Sequence, residues 1–374
     1  MRATRAIVHL ENLAYNLANI AGLLPDRTSV CVPVKADAYG HGALPVSRAA
    51  LSLGASHLAV ATVGEGIELR AAGIEAPILL LGIPHPDELG ELATAALEAF
   101  VTDAEYAESL ARAARKAGVT ARVHLKIDSG MGRIGCSCEE AAALAGIVSE
   151  TEGLALAGVA THLPVADSRA DGDMAYTERQ IGRFLGAVES VRKAGIDPGI
   201  VHAANSGGIL QHPSSHLDMV RPGIISYGYL PDPALAGFID LKPVMELETA
   251  IAAIRSVKAG TSVSYGRTWT AERDTVIATI PVGYGDGLPR RASPGLTVGI
   301  GGTAYPVVGR ICMDQCMVDL GPGSAVRRWD RVTVFGPAPA PNSAADVASF
   351  AGTIPYEITC NVNKRVPRVY VGIK

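Results

Sequence analysis

The 374-residue sequence has no block of lysine or arginine, and its formal net charge is only −4. That excludes a surface built for nucleic acid or for an anionic membrane and leaves small molecules as the expected partners. No apolar run approaches the roughly 20 residues of a membrane span, since even VCVPVK (30–35) and APILLLG (76–82) are strand-sized. The opening MRATRAIVHLENLAYNL carries two arginines but lacks the uninterrupted apolar core and small-residue cleavage site of a secretory signal. No CxxC pair occurs among the cysteines at 31, 136, 138, 312, 316 and 360, and Cys136 and Cys138 lie too close for an easy disulfide. Without a second pair or a nearby histidine, Cys312 and Cys316 read as small buried apolar residues, and no metal site is expected. These absences predict a soluble cytoplasmic protein with reduced thiols.

What is present is alternation. Up to about residue 230, short apolar runs alternate with alanine- and leucine-rich helical stretches, the grammar of βα units. The runs are 30–35, 57–62, 76–82, 98–102, 121–128, 154–163, 199–205 and 216–223. Between them lie segments such as DAEYAESLARAARKAG (103–118), apolar at helical spacing with a stop at Gly118. Such repeats fit a closed (β/α)8 barrel, and an open doubly wound sheet nearly as well. The barrel is favoured because Lys35, Lys126, Asp128, His162, Asn205, Ser206 and Arg221 all fall at or just after the carboxyl ends of these runs, where barrel enzymes build their sites. After LPDPALAGFIDLKP (230–243) the pattern becomes short strands broken by glycine, with one helix expected near 344–352. The sequence thus predicts an α/β fold: an N-terminal (β/α)8 barrel over 1–238, then a mostly β domain over 239–374 that the first strand, about 6–10, joins.

Lysine is rarely buried without purpose. In VKADAYGHG (34–42), Lys35 either opens an exposed loop or serves as a Schiff-base amine, activated by desolvation to condense with a carbonyl. Tyr39 and His41 are placed to face a flat ring, and Gly40 and Gly42 to let backbone approach it. Arg221 reads as a surface ion-pair former or as a permanent donor. Arg133, on the glycine-rich SGMGRIG, reads either as a helix-start arginine in solvent or as a candidate for binding a carboxylate. Lys126 lies two residues from Asp128 on one strand face, which an ion pair would explain. HAANSGG (202–208) and RPGI (221–224) offer Asn205, Ser206 and the amides of Gly223 and Ile224 as a phosphate cradle or, equally, as helix-capping turns.

VKADAYGHG closely resembles the cofactor-attachment segment of the alanine racemases. The resemblance continues through HLKIDSGMGRIG (124–135), GVATHL (158–163), HAANSGG, RPGIISYG (221–228), VSYGRTW (263–269), VGYGDG (282–287), GRICMDQ (309–315) and PYEI (355–358), in order along most of the chain. It implies pyridoxal 5'-phosphate held on Lys35 as a Schiff base, with Tyr39 near the ring, His162 at its edge and Arg221 facing the pyridine nitrogen. His202 is then expected to buttress Arg221, and Tyr356 to close the phosphate cradle. The resemblance further implies two-base racemisation, with Lys35 serving the D-enantiomer and Tyr265, lent by the neighbouring subunit of a homodimer, serving the L-enantiomer. An ordinary tyrosine pKa near ~10 makes a poor base, so the environment must favour the deprotonated form. Arg133 is expected on the substrate carboxylate, with the Met313 backbone amide beside it. Lys126 is expected to be carbamylated, and Tyr284, Arg290, Arg310 and Asp167 to line the access channel. Leu163-Pro164 departs from the small or aromatic residues expected there and leaves serine or broader amino-acid specificity open. His9 stands where an acid is usual. Rival readings are a pyridoxal-phosphate decarboxylase, which places a carboxylate at the pyridine nitrogen, and a non-enzymatic carrier, which needs no second base. The product expected by resemblance is D-alanine for cell-wall peptide.

Overall fold

The computed structural model describes residues 2–372. Eight parallel strands close into a barrel: β2 (Ser29–Pro33), β3 (His57–Val60), β4 (Ile78–Leu80), β5 (Glu98–Val101), β6 (Ala121–Lys126), β7 (Leu154–Ala160), β8 (Ile200–His202) and β9 (Met219–Val220). Seven lie within the apolar runs seen in the sequence, and β2 begins one residue before its run. β9 pairs with both β8 and β2, which closes the ring and excludes the open doubly wound alternative. The strands are almost wholly buried because helices cover the outside while side chains fill the centre. Helix Ala104–Ala117 shows why the local sequence folds so. Asp103 caps its start by accepting from the Tyr106 amide, its apolar face packs inward, and Gly118 ends it at φ 71°.

β1 (Arg5–His9) does not join the barrel. It pairs antiparallel with β10 (Met245–Ala250) and parallel with β19 (Arg368–Val371), so the chain begins in the sheet that it later completes. The rest of that sheet is β11 (Ala253–Val257), then, beyond the small hairpin of β12 (Ser262–Val263) and β13 (Trp269–Thr270), β14 (Thr275–Ile280), β15 (Thr297–Ile300), β16 (Thr303–Val308), β17 (Cys316–Gly321) and β18 (Arg331–Phe335). Its nine strands run in the order β11-β14-β17-β16-β15-β18-β10-β1-β19.

The expected helix appears as Ala344–Ala351, and the structure adds Pro355–Cys360, which the sequence reading left without structure. That second helix carries Tyr356 to the mouth of the barrel. Among the described residues no helix is long and apolar enough to cross a membrane.

Candidate active site

A cavity of about 320 Å³ opens at the carboxyl ends of the barrel strands, a size that suits a small ligand. Lys35, Tyr39, Lys126, Arg133, His162, Asn205, Ser206, Arg221, Gly223 and Tyr356 all line it. Residues from Lys35 to Gly223 therefore meet at one place because barrel topology delivers every strand end to the same rim, and Tyr356 joins them from the helix Pro355–Cys360.

Lys35 follows β2 and opens an unusual turn. Ala36, Asp37, Ala38 and Tyr39 all have φ between 51° and 55°, one turn of left-handed helix built from residues other than glycine. Such backbone costs about 1–2 kcal/mol per residue, so specific partners must hold it. Glu65 is the chief of these: Oε1 accepts from the Ala36 amide at 2.7 Å, while Oε2 accepts from the Ala61 and Thr62 amides. Asp37 accepts from the Ala43 amide at 2.7 Å, and Tyr39 stacks on Tyr227 at 4.8 Å. Burial, then the Arg133 guanidinium, push the Lys35 ammonium pKa below its usual value, with Glu65 and Cys360 opposing. The neutral amine is thereby more accessible, as nucleophile chemistry requires.

Two expectations for this segment are corrected. His41 does not face the cavity: it is fully buried, stacks on Tyr227 at 4.6 Å, and its Nδ1 lies 2.9 Å from the Ala38 carbonyl oxygen. Gly40 and Gly42 serve the contact between domains rather than the approach to a ring. A Cβ would lie 2.1 Å from the Thr359 carbonyl oxygen at Gly40 and 1.9 Å from the Tyr370 hydroxyl at Gly42.

Arg221, at the end of β9, is buried and meets no carboxylate directly among the described residues. It donates to His202 Nδ1 at 2.6 Å and to the carbonyls of Thr161 (2.8 Å) and Ala203 (3.0 Å). Burial presses its pKa down to about 10, still far above neutrality, so it remains a cation. His162 stands beside it, kept neutral by burial and then by the Arg221 charge.

Lys126 is 3% exposed, and its ammonium has no hydrogen-bond partner among the described residues. The ion pair with Asp128 does not form. The Asp128 carboxylate instead accepts from the amides of Gly130 and Gly132, shaping the loop that presents Arg133. Burial, then Arg221 and Arg133, pull the Lys126 pKa down to about 7.

The cradle is also rearranged from the simplest expectation. Asn205 spends its amide on structure, donating to the Leu163 carbonyl at 2.8 Å and accepting from the Gly208 amide at 3.0 Å. The Gly223 amide donates to Ser206 Oγ at 3.0 Å, which leaves the Ser206 hydroxyl proton free to point into the cavity. Ile224 begins a single tight helical turn, Ile224–Tyr227, so its amide is one of the donors such a turn leaves free. Asp167 lines the same end of the cavity, its carboxyl pKa raised by burial.

Tyr265 and Met313 lie elsewhere. They are 70% and 53% exposed, on the β domain, and neither lines this chain's cavity. Hydrogen bonds between their loops gather them with Tyr284: Ser264 Oγ donates to the Arg310 carbonyl at 2.6 Å, and the Tyr284 amide to the Cys312 carbonyl at 3.0 Å. Neither Arg290 nor Arg310 lines the cavity either, whereas Asp167 does. Sequence reasoning missed Glu65, although Thr62-x-x-Glu65 has the spacing of a capping box, and it missed His124 and Glu98, which stand behind His202.

Comparison with known proteins points one way. Residues 8–231 match the alanine racemase N-terminal domain and residues 244–370 the alanine racemase C-terminal domain. The alanine racemase of Treponema denticola is 52% identical over 99% of both chains. That of Treponema pallidum is 50% identical over 99% of this chain and all of the relative. Among solved structures, the alanine racemase of Clostridium difficile 630 superposes with a TM-score of 0.93 at 37% identity, covering 99% of this chain and 96% of the other. The enzyme from a D-cycloserine-producing Streptomyces lavendulae gives 0.93 at 36%, covering 100% and 98%.

Proposed function

Because the chain belongs to the alanine racemase family, we propose that its barrel cavity holds pyridoxal 5'-phosphate and there exchanges the Cα proton of alanine between two opposed bases. It is an amino-acid racemase, and the decarboxylase and carrier readings fall away. The observation that carries the cofactor reading is the pairing, in one cavity, of an amine with a lowered pKa and a buried guanidinium that meets no carboxylate directly. The residues fit the cofactor. A Cβ at Gly223 would stand 3.0 Å from the Tyr39 hydroxyl and 3.6 Å from Ser206 Oγ, so glycine keeps the phosphate end clear.

When bound, pyridoxal phosphate supplies an aldehyde for the amino group and a conjugated ring that delocalises charge left at Cα. Lys35 would hold it, and once released its Nζ would take or return the Cα proton on one face. Arg221 would donate to the pyridine nitrogen and give up no proton to it, which would keep that nitrogen unprotonated and favour simple return of the proton to Cα. Ser206, the Gly223 and Ile224 amides and Tyr356 hold the phosphate, and Asn205 fixes the turn that presents them. Arg133 binds the substrate carboxylate. Lys126, neutral enough near pH 7 to react with carbon dioxide, is carbamylated and turns an unpartnered cation into an anion that orients Arg133; electron density showing a bare amine would refute this.

The second base is Tyr265, with the Met313 amide beside it. Their exposure, away from their own chain's cavity, supports a homodimer in which each subunit completes the other's site. We place the enzyme in the cytoplasm, making D-alanine for peptidoglycan. Incubating the reconstituted protein with L-alanine and following D-alanine with D-amino acid oxidase tests this reading. Turnover is expected; carbon dioxide release, or a yellow protein without turnover, would overturn it.

A further inference from the structure

Behind Arg221 a line of buried groups crosses the barrel interior. Arg221 Nη1 lies 2.6 Å from His202 Nδ1, His202 Nε2 lies 2.9 Å from His124 Nδ1, and His124 Nε2 lies 3.0 Å from Glu98 Oε2. The second Glu98 oxygen accepts from Arg122 Nε at 2.7 Å. All four members from Arg221 to Glu98 are buried, and Phe100 packs against both imidazoles. Room for the line is built in: a Cβ at Gly158 would lie 2.3 Å from His124 Nδ1.

Its two ends fix its polarity. A guanidinium only donates, so His202 Nδ1 must accept and its proton must sit on Nε2. That proton is donated to His124 Nδ1, whose own proton is therefore on Nε2 and is donated to the Glu98 carboxylate. One arrangement of protons satisfies every link. An extra proton anywhere along the line would set N–H against N–H.

We propose that Glu98 and His124 are positioning residues for the reaction: through His202 they supply the countercharge that keeps Arg221 cationic while barring protons from the ring nitrogen. This rests on the assignment of Arg221 to that nitrogen. The barrel interior faces a conflict. A buried guanidinium needs an anion, yet a carboxylate beside a pyridine nitrogen draws a proton onto it and strengthens the electron sink. Two neutral imidazoles resolve it by holding the anion a hydrogen-bonded chain away. The other charged or titratable groups near Glu98 supply no rival anion: His57 from β3 stands 4.0 Å away, Arg122 and Arg70 are cations, and Cys31 from β2 is held protonated by burial. Burial opposes ionisation of Glu98, but the hydrogen bonds it accepts from His124 and Arg122 hold its carboxyl down to about 2.

The test is histidine nitrogen NMR on uniformly labelled protein, as apoprotein and after reconstitution with pyridoxal phosphate. In both states His202 and His124 are expected to carry their protons on Nε2 alone. In Glu98→Gln, a side chain that both donates and accepts replaces a pure acceptor. His124 is then expected to mix its two tautomers, the visible band of the reconstituted enzyme to shift, and kcat to fall roughly tenfold to a hundredfold, the size typical of groups behind a functional ligand, with KM for alanine little changed. An Nδ1 proton on either histidine in the unaltered protein overturns the proposal, as do wild-type tautomers and spectrum in Glu98→Gln. If that variant does not fold, the unaltered protein's tautomers decide alone. The apoprotein measurement does not depend on the cofactor, so failure to bind pyridoxal phosphate would count against the functional reading and not against the relay.

Discussion

Replacing Lys126 by methionine would expose what the barrel interior does with a cation that has no partner. The two side chains have similar length, so packing changes little. As a bare amine, Lys126 falls from its ordinary pKa of 10.5 to about 7 on folding, a penalty of roughly 5 kcal/mol at pH 6 and below. The sign follows from proton counting. Between about pH 7 and 10.5 the unfolded chain holds this proton and the folded chain does not, so stability rises with pH across that window. Lys126→Met should therefore stabilise the protein by about 3–5 kcal/mol at pH 6 and by only about 1 kcal/mol near pH 9.5, in buffer freed of carbon dioxide. In urea the pH 6 gain corresponds to a midpoint shift on the order of 1 M or more. Bicarbonate should raise the stability of the unaltered protein by converting the cation to an anion that pairs with Arg133, and should leave Lys126→Met unmoved. If the unfolding transition responds neither to the substitution at pH 6 nor to bicarbonate, Lys126 is neither an unpartnered cation nor a carbamate, and the reasoning fails.

Three other substitutions probe separate parts of the site. Tyr265→Ala should slow deuterium exchange at Cα of L-alanine by a factor on the order of 10²–10⁴ while affecting D-alanine far less; equal losses for the two enantiomers would show that the second base lies elsewhere. Gly223→Ala puts a methyl 3.0 Å from the Tyr39 hydroxyl, crowding that costs about 1–3 kcal/mol. It should weaken pyridoxal phosphate roughly tenfold in a fluorescence titration with the circular dichroism unchanged, and unaltered affinity would place the phosphate elsewhere. Ala36→Gly, at φ 51° and ψ 49°, should leave stability within about 0.5 kcal/mol or raise it, because relief of left-handed strain offsets the added freedom of the unfolded chain. A loss above ~1 kcal/mol by urea unfolding would mean that the turn is not left-handed in solution.

The barrel was legible because each of its strands is buried on both sides and so reads as a short apolar block. The β domain was less so. β17, CMVDLG, alternates buried and half-buried positions beside the ICMD motif, and the motif drew the reading away from the strand. The left-handed turn after Lys35 was invisible in the sequence, since of Ala-Asp-Ala-Tyr only the aspartate tolerates positive φ and tertiary partners such as Glu65 must impose it. The relay was legible only in part. His124 and Lys126 share a strand face at period two, as do Glu98 and Phe100, but which of these inward residues meet across a closed barrel is set by register.

The pairing of β1 with β10 and β19 bears on how the chain is made. A ribosome adding about 5–20 residues per second needs on the order of tens of seconds to travel from β1 to β19. During that interval the barrel can close and β10 can cover one edge of β1, but the other edge stays bare until β19 is made, the state in which a strand is most open to pairing with another chain. Arg5 in β1 and Arg368 in β19 put a charge on each of those segments, which discourages such encounters until the sheet is sewn shut. β19 therefore secures β1 long after β1 is made, and a truncation after residue 367 would leave β1 beside β10 with one edge uncovered, a lesion expected to appear as aggregation during synthesis before it appears as lost catalysis.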